Sequence, residues 1–183
     1  MKVVGGIARG RRLKVSKTNL RPTSEKVKEA LFNILGEKVK DSVFLDLYAG
    51  TGGIGIEAIS RGAGKAIFVE SNPFMKKTLR ENLFSLGFVD RAKVIESDAG
   101  VFLKRAIKKG ERFDILFIDP PYYTGEMEKI FKILSKGSIL SEDGVVVAEH
   151  FKKKGLPEEI GPLRFIKRYV YGDTVLSLFM MKG

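Results

Sequence analysis

The sequence predicts an α/β fold, with a doubly wound, mostly parallel sheet of about seven strands and helices on both faces. Three observations predict it. Short apolar runs typical of buried strands alternate with helical patterns, a glycine-rich turn follows the first run, and two β-type runs joined by a tight turn come last. The 183 residues, 44% of them hydrophobic, suffice for one domain with its own core.

Capping residues mark where the helices begin. A proline disfavours helical geometry in the residue before it, so we expect no helix before Pro22. Thr23 or Ser24 can accept hydrogen bonds from the free amides of a first turn. Asn72 and Pro73 form a typical cap and first-turn pair, and glycines mark helix ends. The helices are predicted at residues 24–35, from the glycine turn at 50–55 to about 60, at 73–86, near 99–108 and near 125–135.

Continuous apolar runs, as in parallel strands buried on both faces, mark the strands. Gly172 and Asp173 separate the last two runs, and a two-residue turn of this kind joins antiparallel strands in a hairpin. The C-terminal pair should therefore add an antiparallel edge. The strands are predicted at residues 43–47, 66–70, 92–95, 114–118, 144–148, 163–171 and 174–180.

Residues 1–22 are interpreted as a small basic N-terminal β arm, and residues 23–183 as the α/β domain. The arm contains seven basic residues and no acidic one, in a chain of formal net charge +11. Its short β-type residues predict a hairpin with charge on one side, and a solvated tail is the alternative. Such basicity is typical of proteins that bind nucleic acid. The candidate RNA contacts are Arg9, Arg11, Arg12, Arg21 and Thr23.

Composition excludes several kinds of chemistry. Without cysteine there are no disulfides, thiolate nucleophiles or cysteine-bound metals, and with His150 as the single histidine a Ser/His/Asp triad is implausible. No apolar run approaches the roughly 20 residues that span a bilayer, and the start has no signal-peptide core. We expect a cytoplasmic protein with no metal, no membrane association and no obligate protein partner.

The strongest local motif is the turn DLYAGTGGIG at residues 46–55. Glycines between a strand and a helix let a ligand approach the backbone, and the helix N-terminus provides free amide donors. The glycine spacing also fits a dinucleotide site, so a nicotinamide-dependent oxidoreductase is one alternative. Asp46 favours S-adenosylmethionine, because a carboxylate there would repel a pyrophosphate and attract that cofactor's cationic amino acid end.

Two further carboxylates follow strands, and the carboxyl ends of parallel strands meet at one edge of a sheet. Glu70 would hold ribose hydroxyls of either cofactor. Asp98 suits a hydrogen bond to an adenine amino group, with the Ala99 backbone as a second contact, although an N-cap explains Asp98 equally well. The candidate cofactor contacts are Asp46, Tyr48, Gly50, Thr51, Gly52, Gly55, Glu70, Ser71, Asp98 and Ala99.

A fourth strand runs into Asp119-Pro120-Pro121-Tyr122. The exocyclic amine of guanine is a poor nucleophile, because its lone pair is delocalised into the ring. A carboxylate accepting one N–H, and the rigid carbonyl of Pro120 accepting the other, would expose that lone pair. Tyr122 offers a ring for stacking, and a plain turn is the alternative. All four residues are therefore candidate catalytic residues.

Together these motifs resemble the class I methyltransferases, which are Rossmann-like enzymes, and their (Asp/Asn)-Pro-Pro-(Tyr/Phe) members that methylate amino groups. More narrowly, the chain resembles the bacterial RsmD-like family of 16S ribosomal RNA guanine-N2 methyltransferases, nearly from end to end. The arm followed by Arg-Pro-Thr is the most specific part. The matching segments are GGIARGRRL at 5–13, LRPT at 20–23, KVKEALFN at 26–33, the glycine turn through SRG at 60–62, and DPPY at 119–122.

The resemblance implies methyl transfer from S-adenosylmethionine to guanine N2 in small-subunit (16S) ribosomal RNA, leaving S-adenosylhomocysteine. It implies cofactor contacts at the glycine turn, Glu70, Asp98 and Asp119, with the arm near the RNA. The implied partner is ribosomal RNA or the assembling small ribosomal subunit. The alternatives are an adenine-N6 methyltransferase acting on DNA or RNA, the nicotinamide enzyme, and an RNA-binding or assembly protein with a relict cofactor fold.

Overall fold

The structure is a computed structural model that describes residues 1–15, 23–121 and 124–183. These residues form one sheet covered by helices. The strands are β1 (Val43–Leu47), β2 (Lys65–Glu70), β3 (Ala92–Glu96), β4 (Phe113–Ile118), β5 (Leu140–Phe151), β6 (Glu159–Ile160), β7 (Leu163–Tyr171) and β8 (Thr174–Met181). The α-helices are α1 (Glu25–Leu35), α2 (Gly53–Ser60), α3 (Pro73–Leu86), α4 (Ala99–Lys109) and α5 (Glu126–Leu134), with short 3-10 helices at Gly36–Val39 and Val89–Arg91.

The sheet combines a parallel half with an antiparallel half. Its order is β3-β2-β1-β4-β5-β8-β7-β6. The strands β1 to β5 are parallel to one another, and the pairs β5–β8, β8–β7 and β7–β6 are antiparallel. The predicted mostly parallel sheet with a C-terminal antiparallel hairpin is thus confirmed. Because the strand order reverses between β1 and β4, their carboxyl ends open a crevice of the kind where ligands bind in such folds.

The strand count is eight in the described residues, and the prediction of seven is wrong. The additional strand β6 has two residues, of which Ile160 pairs with Leu163 of β7. Pairing alone defines so short an edge strand, so no apolar run marks it. In addition, β5 begins at the buried Leu140 and not near Gly144. The exposed Glu142 and Asp143 interrupt the apolar pattern there, where the register against β4 also shifts.

Helices cover both faces of the sheet, as a doubly wound fold requires. One core cluster joins the arm, α1, α2 and α3 to the sheet, and the other joins α4 and α5 to the opposite face. Successive residues of one strand enter different clusters, as Val145 and Val146 of β5 do. In the described ranges no helix is both long and apolar enough to cross a membrane.

The helix ends follow the predicted capping residues. The side chains of Ser24, Asn72 and Asp98 each accept hydrogen bonds from first-turn amides of α1, α3 and α4. Gly36 and Gly87 stand at the C-caps of α1 and α3 with positive φ angles of 51° and 70°, which glycine adopts without steric cost. These caps fix where α3 and α4 begin, just beyond the carboxyl ends of β2 and β3.

Residues 1–15 fold back on themselves and pack against the domain. Lys2 and Arg12 form an antiparallel bridge, and the side chains of Val3, Ala8 and Leu13 are buried in the core cluster of α1 to α3. The described part of the arm is therefore not a solvated tail. Its proposed boundary at residue 22 lies outside the described residues.

A buried ion pair anchors the arm. The Glu57 carboxylate of α2 is fully buried, and it accepts hydrogen bonds from the amides of Val4 (2.8 Å) and Gly5 (2.7 Å). The Lys28 ammonium of α1, also buried, lies 3.2 Å from the same carboxylate, and Arg61 Nε lies 2.8 Å from it. A single side chain of α2 thus holds the arm and α1 together.

Asn82 of α3 fixes the other end of the arm. Its side-chain oxygen accepts a hydrogen bond from the Lys14 amide (2.8 Å), and its amide nitrogen donates to the Lys14 and Thr51 carbonyls (3.0 Å each). Thr51 belongs to the glycine turn. The arm and that turn are therefore held by one buried side chain.

Candidate active site

The glycine turn adopts backbone conformations that only some residues tolerate. Tyr48, Gly50 and Gly52 have φ angles of 72°, 56° and 89°, of which the first is unusual for a residue with a side chain. A Cβ on Gly52 would lie 2.3 Å from the Leu79 side chain, so this glycine permits close packing on α3. At Gly50 a Cβ would meet nothing within 4 Å, which leaves open space beside the turn.

Asp46 lies beneath the turn, almost completely buried in β1. Its Oδ2 accepts a hydrogen bond from the Gly55 amide at 2.9 Å. Burial raises the pKa of Asp46 to about 7, the charge of Glu70 acts in the same direction, and the Gly55 amide partly offsets them. A cationic group bound in the crevice would restore the ionised form. This acid therefore suits the ammonium of an amino acid moiety.

Glu70, at the end of β2, ties two backbone segments together. Its Oε2 accepts from the Gly50 amide and its Oε1 from the Asn72 amide, both at 2.7 Å. Each carboxylate oxygen can accept a second hydrogen bond. Glu70 can therefore shape the turn and still accept from two ribose hydroxyls. Next to it, Ser71 is exposed between β2 and α3.

Asp98 serves as the N-cap of α4, the alternative considered for it. Its Oδ1 accepts from the Val101 amide at 3.0 Å, and its Oδ2 lies 3.2 Å from Lys129 Nζ. The hydrogen bond from the Val101 amide is the main reason that its pKa is lowered. Half of the side chain stays exposed, so a cofactor can still reach it, while Ala99 behind it is buried.

A chain of polar contacts that sequence analysis did not find crosses the crevice. The Tyr48 hydroxyl donates to Glu126 Oε2 at 2.9 Å, and Lys129 Nζ bridges Glu126 and Asp98. Burial and the Glu126 carboxylate raise the pKa of Tyr48, so its hydroxyl remains a donor. The only signal in the sequence was the i,i+3 spacing of Glu126 and Lys129, which is common on any helix surface.

Asp119 follows β4 directly, beside the end of β1. It is half-buried, and burial, Glu149 and Asp46 all raise its pKa well above the ordinary value, while a hydrogen bond from the Thr23 side chain opposes them. Glu149 is buried in β5 and accepts from Thr23 Oγ1 at 3.1 Å. Three carboxylates thus converge at this edge of the sheet.

Beside Asp119 lies a cavity of about 510 Å³. Prolines and apolar side chains form much of its wall, and Glu149 and two lysines also line it. His150 contributes to the wall as a structural group, because its ring nitrogens contact Ser177 Oγ (2.9 Å) and the Phe151 carbonyl (3.1 Å), and burial lowers its pKa. The lining residues are Pro120, Pro121, Met127, Glu149, His150, Phe151, Lys153 and Lys154.

The structure thus brings the candidate cofactor residues and Asp119 to one edge of the sheet, and adds Glu149, Glu126 and Lys129 to them. Thr23, expected to contact RNA, lies at the same edge against Glu149. Tyr122 and Arg21 lie outside the described residues. Within the residues that the structure describes, no cluster of three or more acidic or histidine side chains could hold a metal ion.

The candidate arginines of the arm lie away from this edge. Ile7 and Ala8 bond to Ser60, the last residue of α2, and Arg11 donates to the Ser85 carbonyl at the far end of α3 (2.9 Å). The eight residues of α2 span about 12 Å. Arg9 and Arg12 are exposed. Any contact they make with RNA is therefore remote from Asp119.

A family model described as "Conserved hypothetical protein 95" matches residues 1–180. The chain belongs to this family. It is 38% identical over 184 residues to "Putative rRNA methyltransferase YlbH" of Bacillus subtilis, with all of both chains covered. It is 35% identical over 184 residues to "Ribosomal RNA small subunit methyltransferase D" of Escherichia coli K12, covering 100% of this chain and 91% of that one. The RsmD-like resemblance is confirmed.

Solved structures agree with the Conserved hypothetical protein 95 assignment. "Putative methyltransferase yhhF from Escherichia coli" superimposes with a TM-score of 0.88 at 30% identity, covering 100% of this chain and 98% of that chain. The methyltransferase fold class is confirmed, and S-adenosylmethionine as the cofactor agrees with the methyltransferase names of the relatives. The residues present fit that molecule. Asp46 is a buried acid that suits its ammonium, Glu70 at the end of β2 suits its ribose, and there is open space beside Gly50.

Proposed function

We propose that this protein methylates the exocyclic N2 amino group of a guanine in 16S ribosomal RNA, either free or in the assembling small ribosomal subunit. S-Adenosylmethionine, when bound, supplies an electrophilic methyl group. The observation that carries the proposal is Asp119, which stands between the glycine turn and a cavity lined by Pro120, Pro121 and Glu149. The names of the curated relatives support ribosomal RNA as the substrate. A ribosomal RNA substrate implies that the protein acts in the cytoplasm.

Asp119 and Pro120 would orient the target amine. A carboxylate oxygen of Asp119 accepts one N–H and the Pro120 carbonyl accepts the other, which turns the nitrogen lone pair toward the methyl group. The methyl group would leave the sulfur of S-adenosylmethionine, which becomes S-adenosylhomocysteine, and the nitrogen that receives the methyl group must lose a proton. Because the pKa of Asp119 is raised well above its ordinary value, its carboxylate is a stronger base than an ordinary aspartate and a suitable acceptor for that proton.

The cavity suits a base taken out of its helix. The amino group of guanine is paired or stacked in folded RNA, so the base must be splayed out to reach Asp119. Pro121 and Phe151 provide apolar walls for a flat ring, and Lys153 and Lys154 can meet the phosphates beside it. Tyr122 is proposed as a stacking partner, and Glu149 as an acceptor for a second edge of the base.

Identification of the methylated nucleoside tests this function. The protein is incubated with labelled S-adenosylmethionine and with 16S ribosomal RNA, isolated small subunits, transfer RNA or DNA, and the products are digested to nucleosides. We expect N2-methylguanosine from the ribosomal substrates. N6-Methyladenosine as the product would overturn the proposal in favour of adenine methylation.

Replacing Glu70 with Ala should weaken S-adenosylmethionine binding by about 1–3 kcal/mol, because the ribose loses two charge-assisted hydrogen bonds. Calorimetry measures the affinity. Glu96 is the matched control, since it pairs with Glu70 in the sheet register at the end of β3 but forms an ion pair with Lys76 of α3. Glu96→Ala should leave the affinity unchanged. If Glu70→Ala does so too, the ribose assignment is wrong.

Replacing Arg9, Arg11 and Arg12 together with Ala should lower the slope of log affinity against log salt by roughly two to three units, one for each phosphate that an arginine no longer neutralises. The decrease should be similar for all RNA sequences, because phosphate contacts position a protein without reading bases. Filter binding at several salt concentrations measures it. The control replaces Lys104, Lys108 and Lys109, which are exposed on the opposite face of the sheet. Equal slopes in both triple variants would remove the arm from the RNA interface.

A further inference from the structure

A second groove lies between α1 and β7, outside the site described above. It is shallow, its volume is about 560 Å³, and two tyrosines of β7 form one wall of it. The opposite wall is the exposed side of α1. Its lining residues are Lys26, Glu29, Ala30, Asn33, Ile34, Tyr169 and Tyr171.

We propose that this groove binds a single-stranded nucleotide of the RNA substrate adjacent to the target guanine, stacked on Tyr169 and Tyr171. The inference rests on the proposed function, since it assigns a further subsite to the same substrate. Every nucleobase has a flat face that can stack on an aromatic ring, so such a site holds RNA without reading its sequence.

The two tyrosines form a stacking surface. They are two positions apart on β7, so their side chains emerge on the same face, about 7 Å apart along the strand. Both are half-buried, because their rings pack against the core cluster beneath α1. Lys167 Nζ lies over the Tyr169 ring, 5.1 Å from its centre, so a stacked base would displace this cation, which could then pair with the neighbouring phosphate.

The polar residues of the groove suit a nucleotide. Lys26 on α1 lines the groove, Lys167 on β7 contacts the Tyr169 ring, and both can meet phosphates. Glu29 and Asn33, one turn apart on α1, offer an acceptor and an amide to the edge of a base. A hydrophobic peptide would leave these four polar groups without partners.

The groove and the catalytic cavity lie near each other at one edge of the sheet. Phe151, which lines the cavity, pairs with Thr174 of β8, and Thr174 pairs with Tyr171. Neighbouring strands lie about 4.8 Å apart, so the backbones of Phe151 and Tyr171 are about 10 Å apart at the same edge of the sheet. Thr23, which bonds to Glu149 in the cavity, directly precedes α1. An RNA strand with its target base in the cavity could therefore place a neighbouring nucleotide in the groove.

The test compares Tyr171→Ala with Tyr171→Phe, which keeps the ring. Filter binding measures their affinity for 16S ribosomal RNA, and calorimetry measures S-adenosylmethionine binding. Tyr171→Ala should weaken RNA binding roughly tenfold with an unchanged salt slope, because stacking releases no counterions. Tyr171→Phe should bind RNA like the wild type, and both variants should bind the cofactor normally. Tyr169→Ala should behave like Tyr171→Ala.

Two results would overturn the proposal. One is normal RNA affinity of both alanine variants. The other is a weakening seen with small subunits and not with naked RNA, because that would place a ribosomal protein in the groove. The product made by the wild-type enzyme separates this test from the proposed function. If N2-methylguanosine forms and the alanine variants still bind RNA normally, the groove assignment alone fails. If another nucleoside is methylated, the target assignment alone fails.

Discussion

Replacing Asp119 with Ala should lower the single-turnover rate of methyl transfer by roughly a hundredfold or more, with little change in S-adenosylmethionine affinity. The amine would lose the acceptor that orients its lone pair and takes its proton. The cofactor contacts proposed at Glu70 and Asp98 belong to β2 and to the N-cap of α4, and they remain. Rapid mixing with 16S ribosomal RNA measures the rate.

Asp119→Asn separates the two roles of the carboxylate. Its amide oxygen can still orient the amine, but it cannot accept a proton, so its rate should lie between those of the wild type and the Ala variant. Because burial and Glu149 raise the pKa of Asp119, the wild-type rate should rise with pH as the carboxylate ionises, and this rise should come at a higher pH than an ordinary aspartate would give. The Asn variant should lack this rise. A wild-type rate in the Ala variant would remove Asp119 from the mechanism.

Replacing Glu57 with Ala should lower the free energy of unfolding by about 3–5 kcal/mol. Lys28 is 1% exposed, and without Glu57 its charge would be buried without a counterion. The pKa of Lys28 is already lowered by burial, against the opposing effect of Glu57. The amides of Val4 and Gly5 would also lose their acceptor. Urea denaturation followed by circular dichroism measures the change.

The exposed pair Lys14–Glu81 provides the control, since its atoms approach to 2.8 Å in solvent. Glu81→Gln should leave the free energy of unfolding nearly unchanged, because exposed ion pairs contribute little. The double variant Lys28→Met, Glu57→Leu should recover part of the stability, because no charge remains to be buried. Similar decreases for Glu57→Ala and Glu81→Gln would show that the buried pair does not anchor the arm.

The parallel sheet and the candidate cofactor residues at the carboxyl ends of its strands were predictable, because local sequence patterns specify them. The apolar runs of β1 to β4, the glycines after β1 and the caps at Ser24, Asn72 and Asp98 are each contained in a few neighbouring residues. Contacts between distant residues were not predictable. Tyr48 and Glu126 are 78 positions apart, and the helical pattern of α5 does not reveal which of its residues reaches Tyr48.

Among the site residues that sequence analysis missed, Glu149 had the clearest signal in the sequence. It interrupts an apolar run in β5, and an acid within a buried strand is rare unless it is paired or functional. The basic arm was recognised by its charge, but charge alone does not distinguish free cations from those used within the fold. Arg11 bonds to a carbonyl 74 positions away, and Lys14 to a carboxylate 67 positions away.

The way the arm is held also has a consequence for biosynthesis. Val4 is held by Glu57, 53 positions later, and Lys14 is held by Asn82, 68 positions later. A chain grows from its N-terminus, so residues 1–15 leave the ribosome long before α2 and α3 exist to receive them. During that interval this strongly basic segment is tethered beside ribosomal RNA with none of its final partners. The segment is thus made before α2 and α3, but it can be fixed in place only after they have been made.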